Sequence, residues 1–509
     1  MRGLNILAGL IVGFTLGGAC TADRTRVSPA ATGANAMFNM AGLYYGTLPA
    51  SHPESRRAEF AKLLQDREIR LLRFPGGTLG NSSFLADNDE VMRSVLGASG
   101  YPEGDPNKFV TLWQFLDFCK ETGTIPVFHV NMLLHTDGAK VYQLTEAGST
   151  ESMIPPTVQL DPAKRADAAE ALTRLVVKVR EKGFSLNHWE LGNEEYGYPR
   201  MKPSDYADIA IRFIRAIRQA DAQAMIWVTL GSNFCSESDR QTIPPWSQEV
   251  LAQLRKAGLT DDKNLGFTLH YVWPEYIHAY TDMVKRFGFK PRFAVTEFHM
   301  AGLGDYSDLC PRFGYALELA PYLISMVRLP AVRMLCIHEL ISQNFGILHY
   351  NQRSYGPPGM ETWDASLGYQ SMPSAYVYEL FGKLIGGRII EDDVTDANRL
   401  VVERDNERRI FFINRTVNPT TVEWSRRIVG ASAARFECRT LIPSTRPEGG
   451  TDEDQASAQA LGRSAYPGDP LRADAVRHEQ QEGAIGPKGL TLTVPSYSIN
   501  LIRCLPNDE

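Results

Sequence analysis

The sequence predicts a closed (β/α)8 barrel followed by a C-terminal antiparallel β-sandwich, and three observations lead there. From about residue 36, short apolar runs alternate with amphipathic stretches, the pattern of repeated βα units around a parallel sheet. Eight such runs precede residue 386, which is the strand count of a closed barrel. After Gly386-Gly387 the texture changes to short strands with alternating polar and apolar residues, as in an antiparallel sandwich.

The eight runs fall at residues 37–45, 69–74, 125–130, 186–193, 224–230, 265–271, 292–297 and 332–338. Helical patterns lie between them. One follows Asp161-Pro162, an N-cap with proline in the first turn, and places Ala168, Ala171, Leu172, Leu175, Val176 and Val179 on one face before Gly183 ends it. Another starts at Ser204 and carries Tyr206, Ile209, Ala210, Phe213, Ile214 and Ile217. An open doubly wound sheet is the rival arrangement of such units, and the count of eight favours closure. The barrel is expected over 36–386, ending in a helix over 374–385, and the sandwich over 387–509 with strands at 400–403, 409–414 and 490–494. Residues 444–489 are rich in Gly, Pro, Asp, Glu, Gln and Ala, so a long surface insertion or partly disordered loop is expected there.

Composition narrows the function. The chain has 509 residues, 43% of them apolar, enough for a large core. A net charge of −6 with no long basic run gives no electrostatic footprint for nucleic acid, and a neutral substrate is the simpler expectation. Arg2, the apolar run over 4–16 and Gly17-Gly18-Ala19-Cys20 have the regions of a secretory signal over residues 1–22. Export is expected, to the periplasm, the exterior or a membrane-anchored lipoprotein. Cys20 after small residues is a candidate for lipid anchoring, and cleavage near Ala19 or Ala22 is the alternative. The other cysteines, at 119, 235, 310, 336, 438 and 504, show no CxxC spacing, and no metal site, phosphate loop or cofactor is expected.

Two segments carry the chemistry. Trp189-Glu190-Leu191-Gly192-Asn193-Glu194 and Phe293-Ala294-Val295-Thr296-Glu297 each run an apolar stretch into a glutamate at its carboxyl end, the end of a barrel strand where active sites gather. Retaining glycoside hydrolysis needs such a pair, one carboxyl as acid/base and one as nucleophile, converging from different strands. Arg73 at the end of the second strand could keep Glu297 ionised. Glu195 also follows Asn193, and strand alternation allows only one of Glu194 and Glu195 to point inward.

Arg73-Phe74-Pro75-Gly76-Gly77, Gly192-Asn193-Glu194, His270-Tyr271 and Thr296-Glu297, in this order, resemble the clan A retaining glycoside hydrolases, most closely the α-L-arabinofuranosidases of family 51. The likeness spans residues 36–386, and Val494-Pro495-Ser496-Tyr497-Ser498-Ile499-Asn500 looks like the last strand of that family's sandwich. The resemblance selects Glu194 over Glu195 and implies that Glu194 is the acid/base and Glu297 the nucleophile. It also implies that Arg73, Asn193 and His270 line the sugar site of a carbohydrate substrate. Three departures stand out: Thr78 replaces an asparagine after the paired glycines, with Asn81 as a shifted substitute; Gly42-Leu43-Tyr44-Tyr45-Gly46 lacks a sugar-binding glutamate; and Val272, between Tyr271 and Trp273, replaces an aromatic. A β-xylosidase or β-glucuronidase of the same clan, or a glycan-binding protein that keeps the barrel as a scaffold, is the alternative. Of the loop aromatics Trp246, Trp273, Tyr276, Tyr196, Tyr198 and Trp363, Trp273 is the first candidate to stack on a sugar ring.

Overall fold

The computed structural model describes residues 26–36, 41–80, 110–132, 162–197, 201–232, 237–300, 313–341, 346–350, 368–390, 396–443 and 476–506. Eight parallel strands close into a barrel in sequential order: β1 (Gly33–Asn35), β2 (Leu71–Phe74), β3 (Ile125–Val130), β4 (His188–Leu191), β5 (Met225–Thr229), β6 (Leu265–His270), β7 (Phe293–Phe298) and β8 (Val332–Ile337), with β8 returning to β1.

Seven of the eight strands lie where the apolar runs place them. The first does not. β1 is the short segment Gly33-Ala34-Asn35, and the apolar stretch expected as strand one runs into the helix Ala41–Thr47. Every β1 residue is buried, yet three small residues carry no hydrophobic run long enough to read as a strand.

The strand period of two sorts side chains between two cores. Outward-facing Leu72, Phe74, Phe128, Trp189, Leu191, Ile226, Val228, Phe267, Leu269, Phe293 and Val295 join the large core under the helices. The helix Pro162–Glu181 contributes Ala168, Leu172, Leu175, Val176 and Val179 to it, and Pro203–Ala220 contributes Tyr206, Ile209, Ala210, Phe213, Ile214 and Ile217. Inside the barrel, Leu71, Val127, Trp227, Ala294, Met334 and Cys336 form a separate apolar layer, closed by Ala30. A Cβ on Gly266 would stand 2.4 Å from the Trp227 ring, so only glycine leaves the indole room inside. Two residues further along the strands come Arg73, His129, Thr229 and Thr296, all buried.

β9 (Leu348–Tyr350) and β10 (Tyr369–Ser371) pair with each other before the helix Pro373–Gly382, and beyond it a six-stranded antiparallel sheet in the order β11-β12-β13-β18-β15-β16 faces a two-stranded sheet β14-β17. The strands are β11 (Arg388–Ile389), β12 (Arg399–Arg404), β13 (Glu407–Asn414), β14 (Thr420–Ser425), β15 (Ala433–Pro443), β16 (Val476–Ala484), β17 (Gly489–Val494) and β18 (Ser498–Pro506). Val401, Ile410, Phe436, Cys438, Ile502 and Cys504 of the larger sheet pack on Trp424, Leu490, Leu492 and Val494 of the smaller. Alternate residues Leu400, Val402, Phe411, Ile413 and Leu501 belong to the barrel's core instead. Phe381 and Phe411 meet edge to face across this junction, with ring centroids 5.5 Å apart. Cys438 and Cys504 are buried free thiols.

The stretch expected as a surface insertion is interrupted by β16, which pairs along nine residues of β15. β16 is an edge strand whose Arg, His, Glu and Gln side chains are largely exposed, so its composition reads as loop. The expected signal segment and residues 444–475 lie outside the described residues. Among the described residues no helix is long and apolar enough to cross a membrane.

Candidate active site

The carboxyl end of β4 is built to present a glutamate. The strand stops at Leu191, whose carbonyl accepts the Tyr206 hydroxyl at 2.7 Å. Gly192 then turns with φ +90° while its N–H bonds Val130 at 3.0 Å. Glu195 folds back beneath this turn and accepts the Asn193 N–H at 2.7 Å. A Cβ at residue 192 would lie 2.3 Å from both Glu195 carboxylate oxygens, so the turn demands glycine. Glu194 consequently sits at φ +59°, a left-handed conformation uncommon for a non-glycine residue. The expected alternation between Glu194 and Glu195 does not apply, because both residues follow the strand. Glu194 is partly exposed and receives the Tyr196 hydroxyl at 3.2 Å.

Glu297 rises from β7 and is nearly inaccessible. Its register against both neighbours shifts near this point, between Leu269 and His270 on one side and between Val295 and Phe298 on the other. This irregularity lets consecutive Thr296 and Glu297 both reach inward. Oε1 of Glu297 accepts Arg73 Nη1 at 2.6 Å and Asn35 Nδ2 at 3.0 Å, and Oε2 accepts the Tyr271 hydroxyl at 3.2 Å. His270 and His338 each place Nδ1 3.7 Å from Oε2. Burial alone would raise the carboxyl's pKa, but His270, His338 and Arg73 together hold it well below the usual carboxylate range.

Arg73, fully buried, organises the floor. Besides Glu297 it donates Nη2 to Asn193 Oδ1 at 2.8 Å and Nε to Glu190 Oε2. Glu190 also accepts the Thr296 hydroxyl at 2.7 Å. Against the cost of burial, the Arg73 charge chiefly lowers its pKa to about 2. Glu195 goes the other way: burial pushes it up to about 8, with the Glu190 charge adding to the effect. His129, buried beside the guanidinium, is depressed to about 3 by burial and then by Arg73.

His270, at the end of β6, sits between the two glutamates. Nδ1 is 3.1 Å from Glu194 Oε1, and Nε2 is 3.0 Å from Thr296 Oγ1. Burial alone would lower its pKa, yet the charge of Glu297 and the contacts with Glu190 and Glu194 raise it to about 10. One donor atom each from Glu194, His270 and Glu297 lies within 4.8 Å of the others. With Arg73 already bonded to Glu297, this cluster carries its own positive charge, and it fits proton transfer and nucleophilic attack at a centre placed between the carboxylates.

The fold has known counterparts. An α-L-arabinofuranosidase from Thermotoga maritima, solved with arabinose, superposes with a TM-score of 0.61 at 14% identity, over 94% of this chain and 97% of that one. A family 51 α-L-arabinofuranosidase from Bifidobacterium longum gives 0.61 at 14%, over 95% and 97%. A family 39 β-xylosidase from Caulobacter crescentus gives 0.57 at 14%, over 95% and 97%. The chain has the clan A glycoside hydrolase fold. No protein-family model and no curated protein matches it.

Within this clan A fold, the structure brings together Glu194, Glu297, Arg73, Asn193, His270 and Tyr271. It does not bring Trp273 into contact with them. Trp273 is 46% exposed, edge-on to Tyr322 with centroids 5.9 Å apart, and Tyr276 is equally exposed. Trp246 is a buried residue of the helix Glu237–Lys256, whereas Tyr196 reaches Glu194. Asn81, Tyr198 and Trp363 lie outside the described residues. Sequence reasoning gave no role to Asn35 or Glu190, and none to Thr296 beyond its place before Glu297. Glu190 had a readable signal: a lone charge in the middle of an apolar barrel strand must find a partner inside. Asn35 was hidden by the misplaced first strand, and the departure read from residues 42–46 concerned a helix.

Proposed function

We propose that the protein is a retaining glycoside hydrolase acting on oligosaccharides or polysaccharides, with α-L-arabinofuranosides as the first substrate class. The observation that carries this reading is the approach of the Glu194 and Glu297 carboxylates, with oxygens within 4.8 Å. Retaining enzymes hold their carboxyl groups about 5–5.5 Å apart, whereas inverting enzymes need about 6.5–9.5 Å to seat a water between them.

In this reading Glu297 attacks the anomeric carbon as the bond to the leaving oxygen breaks and Glu194 gives that oxygen its proton. Water then attacks the same carbon, its proton passes to Glu194, and Glu297 departs as carboxylate. Oε2 of Glu297 is the better nucleophile, since it accepts one longer hydrogen bond while Oε1 accepts two. Arg73 and Asn35 keep the nucleophile ionised and aimed. Asn193, its oxygen held by Arg73, is the residue to meet a sugar 2-hydroxyl. Export rests on the N-terminal signal features, and cell fractionation with labelled fatty acid tests both secretion and lipidation of Cys20.

The test is hydrolysis of aryl α-L-arabinofuranoside, β-D-xyloside, β-D-glucuronide, β-D-glucoside and β-D-galactoside by wild type and by Glu297→Ala. Turnover of at least one that vanishes in the variant is expected, and equal turnover by both proteins would refute the assignment. Glu194→Ala should slow poor leaving groups by about 10²- to 10⁴-fold and activated aryl groups less. Equal slowing of both would deny Glu194 the role of acid.

A further inference from the structure

A line of buried polar atoms runs beneath the two glutamates. Thr296 Oγ1 donates to Glu190 Oε1 at 2.7 Å and lies 3.0 Å from His270 Nε2. On the other side of the ring, His270 Nδ1 lies 3.1 Å from Glu194 Oε1 and 3.7 Å from Glu297 Oε2.

The donor roles in this line are forced by chemistry. Glu190 is fully buried, and its other oxygen takes the Arg73 guanidinium, so it is ionised and can only accept. The single proton of the Thr296 hydroxyl is thereby committed to Glu190. Its oxygen then offers only a lone pair to His270, so Nε2 must carry hydrogen. Nδ1 faces two carboxyl groups, and a hydrogen there bonds Glu194 Oε1 at 3.1 Å while setting positive charge 3.7 Å from ionised Glu297.

We propose that Glu190 and Thr296 are positioning residues that hold His270 as an imidazolium, and that this imidazolium is a counter-ion shared in turn by Glu297 and Glu194. The role assigned to the two glutamates rests on the glycosidase reading; the state of His270 does not. Before attack the negative charge is on Glu297, and the reaction needs the transferable proton on Glu194. After attack, Glu297 is a neutral ester to the sugar, and Glu194, having given its proton to the leaving oxygen, carries the negative charge. His270 keeps both protons throughout, so one fixed cation serves both states without moving. Its Nδ1–H on Glu194 Oε1 also leaves the transferable proton to the other carboxyl oxygen.

The surroundings support a charged ring. Arg73 and His129 face it from β2 and β3, Glu190, Glu194 and Glu195 from β4 and the turn after it, Glu297 from β7, and His338 stands across Glu297 at the end of β8. Arg73 is matched by its contacts with Glu190 and Glu297, and His129 is neutral. The balance raises His270 to about 10.

The experiment is a pH titration of ¹⁵N-histidine-labelled full chain by NMR, with His270 assigned from its loss in His270→Asn, beside pH profiles of kcat/KM. Wild-type His270 should show both ring nitrogens protonated from pH 5 to 9. Thr296→Val should lower its midpoint by about one pH unit, the size of one charge-assisted hydrogen bond, and Thr296→Ser should restore it. The alkaline limb of kcat/KM should move with it. A neutral His270 at pH 7 in wild type, or an unmoved midpoint in Thr296→Val, would overturn the assignment of Glu190 and Thr296 as the residues that hold the imidazolium. A moved midpoint with an unmoved kinetic limb would overturn the counter-ion role. If wild type turns over no glycoside, the glycosidase reading fails while the NMR still decides the state of His270.

Discussion

The barrel's interior is stacked in two layers that share strands and differ in chemistry. Leu71, Val127, Trp227, Ala294 and Cys336 form the lower one. Two residues further on, the same five strands or their ends supply Arg73, His129, Thr229, Thr296 and His338. The lower layer fills space by shape, and the indole N–H of Trp227 is met by His188 Nδ1 at 3.3 Å. In the upper layer nearly every atom is committed to a hydrogen bond or an opposite charge, because burial makes an unmatched one costly. Closing one end of the barrel with apolar side chains keeps water from the polar layer, so that charges there act at short range and low screening. The same closed cylinder is thus a core at one end and an electrostatic device at the other.

The sharpest way to break this contrast is Arg73→Met. It leaves Glu190 and Glu297 buried without their cation, which should cost about 3–5 kcal/mol of stability and abolish turnover, as read from urea unfolding and the aryl glycoside assay. Retained activity would show that the polar layer does not depend on its central charge. Trp227→Ala is the matched test below. It should cost a similar ~3–5 kcal/mol through the cavity it leaves, while kcat/KM measured well below the melting temperature changes by less than about tenfold. A loss as large as that of Arg73→Met would mean that the layers are not separable.

Glu195→Gln should have the smallest effect and sharpens the comparison through pH. The unfolded carboxyl releases its proton near 4.5, while the folded one keeps it to about 8. The folded state therefore holds more protons between these values, and stability falls as pH rises, by on the order of 1 kcal/mol per pH unit. His270 acts in the same sense between about 6.5 and 10. Glu190, lowered to about 2, acts oppositely and loses its contribution as pH falls from 4.5 towards 2. Glu195→Gln should flatten the decline from pH 5 to 8, measured as the urea midpoint against pH, and an unchanged slope would place the titration elsewhere. Trp227→Ala should leave that slope untouched.

Strand positions were legible wherever burial on both faces produced an unbroken apolar run, as in β3, found over its whole length at Ile125–Val130. β1 was illegible because three small residues suffice to pair on both sides of a barrel, and the richer apolar stretch after it is helical. β16 was lost for the converse reason, since an exposed edge strand carries polar residues. Glu194, Glu297, Arg73 and His270 could be named from their places at strand ends. Their connections could not: the register shift on β7 that turns Thr296 and Glu297 the same way leaves no mark in residue type. Trp273, three residues past His270, is 46% exposed and meets Tyr322 edge-on.

The central claim is that the Glu194 and Glu297 carboxylates perform a double displacement, and it is tested most directly by the stereochemistry of the first-formed product. ¹H NMR of the anomeric proton, recorded during hydrolysis of whichever aryl glycoside is turned over and before mutarotation, should show the configuration of the substrate. Inversion at that carbon would contradict the account.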